Sequence, residues 1–163
     1  MIDIETAMKD YVNKFTGLNR ELIYIGFQNR VPLPKEKNYC IVTVYNLNRL
    51  GTPIEKYDSN AEAYYITQHF QANVQIDFYG DTARENASII VTTSRTLTGA
   101  NYLKSYQIQP LYCEDARRMV NVTGERQYED RYMVDFNIEF DGVVSVQQDG
   151  FNEAKLNLIR VEL

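Results

Sequence analysis

The feature that most restricts what this chain can fold into is a change of rhythm at Gly80. In "ITQHFQANVQIDFYGDTARENASIIVTTSRTL" the apolar residues first come every second position and then every third or fourth. From Tyr64 onward, Ile66, Phe70, Ala72, Val74, Ile76 and Phe78 share one side, with Gln68 the one polar intruder. Thr67, His69, Gln71, Asn73, Gln75 and Asp77 share the other. Strict alternation of this kind predicts a strand with one dry and one wet face in an antiparallel sheet. A straight strand over residues 64–79 would be about 53 Å long at ~3.3 Å per residue. A compact domain of this size is only about 40 Å across. The strand must therefore overshoot its own domain or be broken by a bulge, and an overhanging strand is available to a neighbouring subunit.

After Gly80 the residues Ala83, Ala87, Ile90, Val91, Ser94 and Leu97 define one helical face. This predicts a helix over residues 81–97, with Asp81 as N-cap and Gly99 closing it. Strand and helix then form one packing unit, the dry strand face as floor and the helix as lid.

The flanking patterns extend this frame. Ile4, Met8, Tyr11, Val12 and Phe15 recur at helical spacing, Asp3 and Glu5 sit at the favoured negative end, and Gly17 is placed to terminate the helix. "ELIYIGFQN" reads as a short strand and "RVPLPKEKN" as a loop, because Pro32 and Pro34 remove backbone donors. "YCIVTVYN" reads as a strand covered on both sides, and "NLNRLGTPIEKYDSN" as a second loop around Gly51, Thr52 and Pro53. Pro110 is expected to interrupt any strand near Gln107 and Ile108. Tyr128, Tyr132, Val134, Phe136, Ile138 and Phe140 repeat the two-faced alternation, followed by a turn at Asp141 and Gly142, an extended "VVSVQQ", and a last strand over residues 154–162. The expected fold is α+β: a mainly antiparallel sheet with helices packed on one face, in a single domain spanning residues 1–163.

Chemistry is sparse. His69 is the only histidine, and without a second histidine or a cysteine pair it anchors neither a metal nor a nucleophilic site. Cys40 and Cys113 are the only thiols, too few for a disulfide framework, and Cys40 falls in the driest strand, where a thiol is buried and inert. Glu114 with Asp115, Glu129 with Asp130, and Asp77 with Asp81 stand near turns or on polar strand faces, where solvated charge is the expectation. "GDTAR" lacks the glycines and Gly-Lys-Ser/Thr ending of a phosphate loop. No catalytic, cofactor or metal residue is assigned, and the expectation is a protein that is not an enzyme and needs no cofactor.

The 17 basic and 22 acidic residues give a net charge of -5, which argues against an electrostatic grip on nucleic acid. No apolar run approaches the roughly 20 residues that span a bilayer, so no membrane partner is expected. Thirteen tyrosines and no tryptophan suit broad contacts with polar tips. Arg117, Arg118 and Met119, flanked by Tyr112 and Tyr128, combine residue types enriched in interface cores.

Taken in order, "GFQNRVPLPKEKNYCIVTVYNLNRLGT", "QANVQIDFYGDTARENASI" and "IQPLYCEDARRMVNVTGERQYEDRYMVDFNIEF" resemble the phage neck (tail) terminator proteins of long-tailed bacteriophages. The likeness covers Gly26 to about Val161, and its most specific part is the strand "VQIDFYGD" joined to a helix and followed by "QPLY" and "GERQYEDRY". The resemblance implies a structural virion protein in the neck between head and tail, made in the host cytoplasm. It implies a homo-oligomeric ring, read as a hexamer, that caps the tail tube, ends its growth and joins it to a portal-side connector or stopper protein. DNA would pass through the lumen only as cargo. A ring needs a head-to-tail interface that brings different patches together. The candidate contacts are Tyr64, Tyr65, Thr67, His69 and Tyr79 on the long strand, and Tyr112, Arg117, Arg118, Met119 and Tyr128 in the second segment. Two alternatives remain: a head-completion or stopper protein, and a small α+β enzyme or ligand-binding domain with a closed pocket near Asp77, Asp81 or Glu129.

Overall fold

A computed structural model describes residues 2–27, 34–123 and 127–147. Three helices and a short 3-10 turn accompany six strands. In chain order they are α1 (Ile4–Thr16), the 3-10 turn Arg20–Leu22, β1 (Ile23–Ile25), β2 (Tyr39–Asp58) and β3 (Ala63–Tyr79). There follow α2 (Ala83–Ser94), α3 (Leu97–Lys104), β4 (Ile108–Cys113), β5 (Arg117–Thr123) and β6 (Gln127–Gln147). The sheet order is β1-β2-β3-β6-β4, and β5 pairs with β6 beside β4. Among the described strands only the β1–β2 pair is parallel. The α+β architecture is therefore the expected one.

β3 is the spine. Every residue from Ala63 to Tyr79 has a partner on β6, and the same span of β3 is matched by β2 from Tyr39 to Asp58. Residues paired across neighbouring strands point the same way, so the register sorts side chains onto two faces. Cys40, Val42, Val74, Ile76, Phe78, Val134, Phe136 and Ile138 are buried on the helix-covered face. They meet Ala7, Met8, Tyr11 and Val12 of α1, Ala83, Ala87 and Ile90 of α2, and Leu103 of α3. Tyr11 is the hub. Its ring lies 4.6 Å from Phe15, 5.7 Å from Phe136 and 5.9 Å from Tyr102, and its hydroxyl hydrogen-bonds Thr93 Oγ1 at 3.2 Å.

α1 follows the sequence expectation: Asp3 Oδ1 accepts the Thr6 N–H at 3.0 Å, and Gly17 ends the helix at φ 71°. The helical pattern after Gly80 is instead split in two. α2 starts at Ala83 with Thr82 as N-cap, because Asp81 turns outward to Lys37 at 2.7 Å and Asn38 Oδ1 accepts the Thr82 N–H at 3.3 Å. Gly99 does not close that helix. It sits in the first turn of α3, where Thr96 caps it, and Leu97 is largely exposed. A Cβ on Gly99 would collide with the Thr93 carbonyl and lie 2.6 Å from the Tyr11 hydroxyl, so this glycine permits the close crossing of α3 over α2.

Two further segments differ from expectation. Residues 46–58, read as a loop, continue β2. The breakers Gly51, Thr52 and Pro53 are absorbed in a bulge between Leu50 and Ile54, with Gly51 at φ 70°. Gln68 Nε2 donates to the carbonyls of Leu50 at 3.2 Å and Gly51 at 3.4 Å, which explains the one polar residue in the apolar series of β3. Asp141 and Gly142, read as a turn, lie inside β6. Asp141 pairs across the strands with the His69 ring, and Gly142 lets the Phe70 ring cover it; a Cβ there would be 2.8 Å from Phe70 Cε2. Pro110 sits within β4, tolerated on an edge strand beside a register shift. The β2 segment expected to be covered on both sides is buried on the helix side alone, where Cys40 and Val42 point. Burial pushes the Cys40 thiol well up and Cys113 up to about 11, as suits unreactive thiols. The last strand, residues 154–162, and residues 28–33, which include the start of the Pro32 loop, lie outside the described residues.

Two substitutions test this core by denaturant unfolding. Tyr11→Ala is expected to cost about 3–5 kcal/mol, as for other large buried aromatics. Gly99→Ala is expected to cost about 1–3 kcal/mol through overpacking. Unchanged midpoints for both would contradict the packing described.

Candidate assembly surface

α2 is 12 residues long, roughly 18 Å at ~1.5 Å per residue, and shades only the body end of β3. Of residues 72–79 of β3 all but the half-buried Asn73 and Gln75 are buried, whereas every residue from 64 to 71 is half-buried or exposed. The remainder is an arm of about 30 Å built from β3 residues 63–71 with the flanking parts of β2 and β6. The overshoot expected from the strand's length is thus present, and it carries both neighbours with it.

On the helix-side face of this arm the apolar core pattern runs on without a lid. Tyr57, Tyr64 and Val146 form its outermost row; Ile66 and Val144 the next, with Glu55; and Leu47, Ala72 and Ile138 lie where the arm meets the body. Tyr57 and Tyr64 pack their rings 5.1 Å apart. Leu47, Val144 and Val146 are each about half exposed. Such a run of large apolar side chains on one surface marks a place where another molecule sits.

The opposite, helix-free face is mainly polar and internally bonded, although Ile54 and Val143 stand exposed on it opposite Thr67. Asn46 donates to Asn73 at 3.3 Å, and Asn73 donates in turn to Asn137. Asp77, 3% exposed, accepts from Gln75 Nε2 at 2.6 Å and Arg131 Nε at 3.0 Å. Arg131 also lies over the Tyr79 ring at 5.6 Å, and Tyr79 stacks on Tyr39 at 4.4 Å. Burial first, then the neighbouring Asp77 carboxylate, pushes the Tyr79 hydroxyl up to about 12, so it stays a neutral hydrogen-bonding group at neutral pH.

The sequence-derived contact residues fall in different places. Tyr64 lies on the helix-side face of the arm, and Tyr65, Thr67 and His69 lie on the polar face. Tyr79 is buried in its stack with Tyr39. Tyr112 is 55% exposed on β4, and Met119 is exposed on β5. Arg117 is paired with Asp135, and Arg118 Nε donates to Asp130 at 3.1 Å. Tyr128 is opposite Val122 in the β5–β6 register, and its side chain lies outside the described residues. The exposed apolar residues Leu47, Ile54, Tyr57, Val143, Val144 and Val146 were missed, because residues 46–60 read as a loop and residues 141–142 as a turn. The signal was available: a 17-residue strand needs partners of matching length to satisfy its backbone.

Of the carboxylates weighed for a pocket, Asp77 is occupied by Arg131 and Gln75, and Asp81 by Lys37. A cleft of about 490 Å3 is lined by Ile2, Asp3, Thr6, Tyr106, Gln107, Asp141 and Val143, and neither Asp77, Asp81 nor Glu129 lines it. Among the described residues no group of three or more His, Cys, Asp or Glu side chains is placed to hold a metal ion. No described helix is long and apolar enough to cross a membrane.

A helix-backed sheet whose main strands run past their lid, exposing apolar rows, is the build of a protein that works by association with other chains. Comparison with protein families gives the particular kind: the chain belongs to the phage neck terminator protein family, whose model matches residues 3–159. It is accordingly a structural protein of the bacteriophage virion, located in the neck, where it meets other virion proteins. A comparison with curated proteins finds no match.

If the arm's apolar rows are unused by the monomer, they tolerate polar replacement. Val144→Thr and Val146→Thr, which keep a β-branched side chain, are expected to change unfolding free energy by no more than about 0.5 kcal/mol. Arg131→Ala is expected to cost about 3 kcal/mol by stranding the buried Asp77 carboxylate. Urea unfolding of the three variants separates the two surfaces.

Proposed function

We propose that copies of this chain, each folded as one domain over residues 1–163, close into a ring at the top of the tail. The ring, a hexamer, caps the completed tail tube, ends its growth and joins it to the portal-side connector or stopper protein. DNA passes through the lumen as cargo, without a dedicated binding site. The protein is made in the host cytoplasm and acts without turnover of a substrate or a cofactor.

The observation that carries this reading is the uncovered arm on a chain of the neck terminator family. Exposed apolar rows on a folded domain are a contact surface awaiting its partner. The net charge of -5 and the internally bonded polar face suit a conduit that does not hold DNA. Contacts between copies involve the arm, including Tyr64, Tyr65, Thr67 and His69. The segment carrying Tyr112, Arg117, Arg118, Met119 and Tyr128 supplies a second contact.

Deletion of the gene is the discriminating experiment. Loss of a terminator is expected to leave filled heads beside unjoined, overlong tails in electron micrographs. Leaking heads with tails of normal length would instead assign the chain to head completion and reject this reading.

A further inference from the structure

The arm has two strand edges that no strand pairs with among the described residues. On one side, β1 covers β2 only from Cys40 to Val42. On the other, β4 leaves β6 at Phe140, opposite Ile108, so residues 141–147 are paired with β3 alone. Each bare edge presents a row of backbone donors and acceptors, the usual template for pairing with another chain.

The register relates these edges in a specific way. Thr67 is opposite both Ile54 and Val143, Ile66 opposite Glu55 and Val144, Tyr65 opposite Lys56 and Ser145, and Tyr64 opposite Tyr57 and Val146. The two free edges therefore stand at the same level of the arm and differ only in the side they face. A rotation with little translation brings the β6 edge of one copy beside the β2 edge of the next. Such a step closes into a ring; edges offset along the arm would instead climb into a filament. β2 and β6 both run antiparallel to β3, so the strands meeting at this joint run parallel. The edges are also unequal. Residues 143–147, "VVSVQ", contain no charge, proline or bulge, whereas the facing β2 edge carries Glu55, Lys56 and Asp58 beyond the Pro53 bulge. Charges and proline guard an edge against indiscriminate pairing, so β2 is suited to one defined partner.

We infer that the occupant of each bare edge is a second copy of this chain, with β6 residues 143–147 of one copy pairing in parallel with β2 residues 54–58 of the next. The arms thereby join into one continuous sheet around the ring. The inference rests on the ring reading above and adds to it the strands and direction of the joint.

Cysteine cross-linking tests it on full-length protein. Cys40 and Cys113 are both buried, so they contribute no background. The level register sets Ser145 of one copy beside Lys56 of the next, both exposed and on the polar face. Lys56→Cys/Ser145→Cys protein, in necks isolated from assembled particles and oxidised mildly, is expected to give a denaturant-resistant ladder up to the full ring. Mixing the two single variants is expected to stop at dimers containing one of each. Ile54→Cys and Asp58→Cys, each with Ser145→Cys, cover a joint shifted by one pleat in either direction. Dimers from Ser145→Cys alone would reveal a two-fold β6–β6 joint and overturn the inference. A ring visible by electron microscopy with no cross-link at residue 54, 56 or 58 would also overturn it, while leaving the ring itself intact. Necks without any ring of this protein would overturn both.

Discussion

The structure depends on the double pairing of β3. A strand that is paired with β6 along its whole length and with β2 at every residue but Gln68 cannot bend away from its neighbours or slip without breaking a ladder. That constraint fixes which side chains of β2 and β6 reach the helix layer. It places Val42, Ile76 and Val134 in one row, and Val44, Val74 and Phe136 in the next, under α1 and α2. It also extends the sheet beyond the helices, because the ladder runs on where the lid stops. The buried core and the bare arm are thus consequences of one register, and they differ only in whether a helix happens to lie above.

This division separates stability from association. Helix-side residues at the body end bury their surface within the chain and contribute to folding at roughly 25 cal/mol per Å2 of apolar area. The same residue types on the arm leave that gain unrealised until another molecule arrives. On the polar face the logic is reversed. Asn46, Asn73 and Asn137, or Gln75, Asp77 and Arg131, satisfy one another within the sheet. Among the described residues no buried side-chain polar atom is without a hydrogen-bond partner. That face is therefore ordered without a covering layer.

Much of this was legible in the sequence. Strict alternation gave β3 and the body half of β6, and helical spacing gave α1 with its caps at Asp3 and Gly17. The length of β3 against the size of a domain gave the overhang. What escaped notice was whatever depended on a distant partner. Gly51, Thr52 and Pro53 are turn formers by local preference, but a side chain 15 or more residues away, Gln68, satisfies the carbonyls their bulge exposes and lets β2 continue. Asp141 and Gly142 make a turn signal by themselves; beside His69 and Phe70 they form a cross-strand pair and a glycine covered by a ring. Splitting α2 from α3 required the Tyr11 hydroxyl and the Thr93 carbonyl, both supplied by other elements. The contact residues followed the same rule. Those on β3 were named from its alternation, and the apolar rows of β2 and β6 were lost with their strands.

The two irregularities that hid the arm also fix its register. A flat strand pair can slide by one residue, and a slide would exchange the apolar and polar faces of the whole arm. The bulge at residues 51–53 accommodates three β2 residues against Gln68 alone, so a shifted pairing would leave the Leu50 and Gly51 carbonyls without that amide. Gly142 acts likewise on the other side, since a one-residue slip would place a side chain under the Phe70 ring. An arm held in register at two levels presents the same rows of side chains and the same backbone edges in every copy. The repeated joints proposed between copies would require that uniformity, and local pattern alone does not supply it. The residues that look least like strand in this sequence are for that reason the ones that make its longest strands usable.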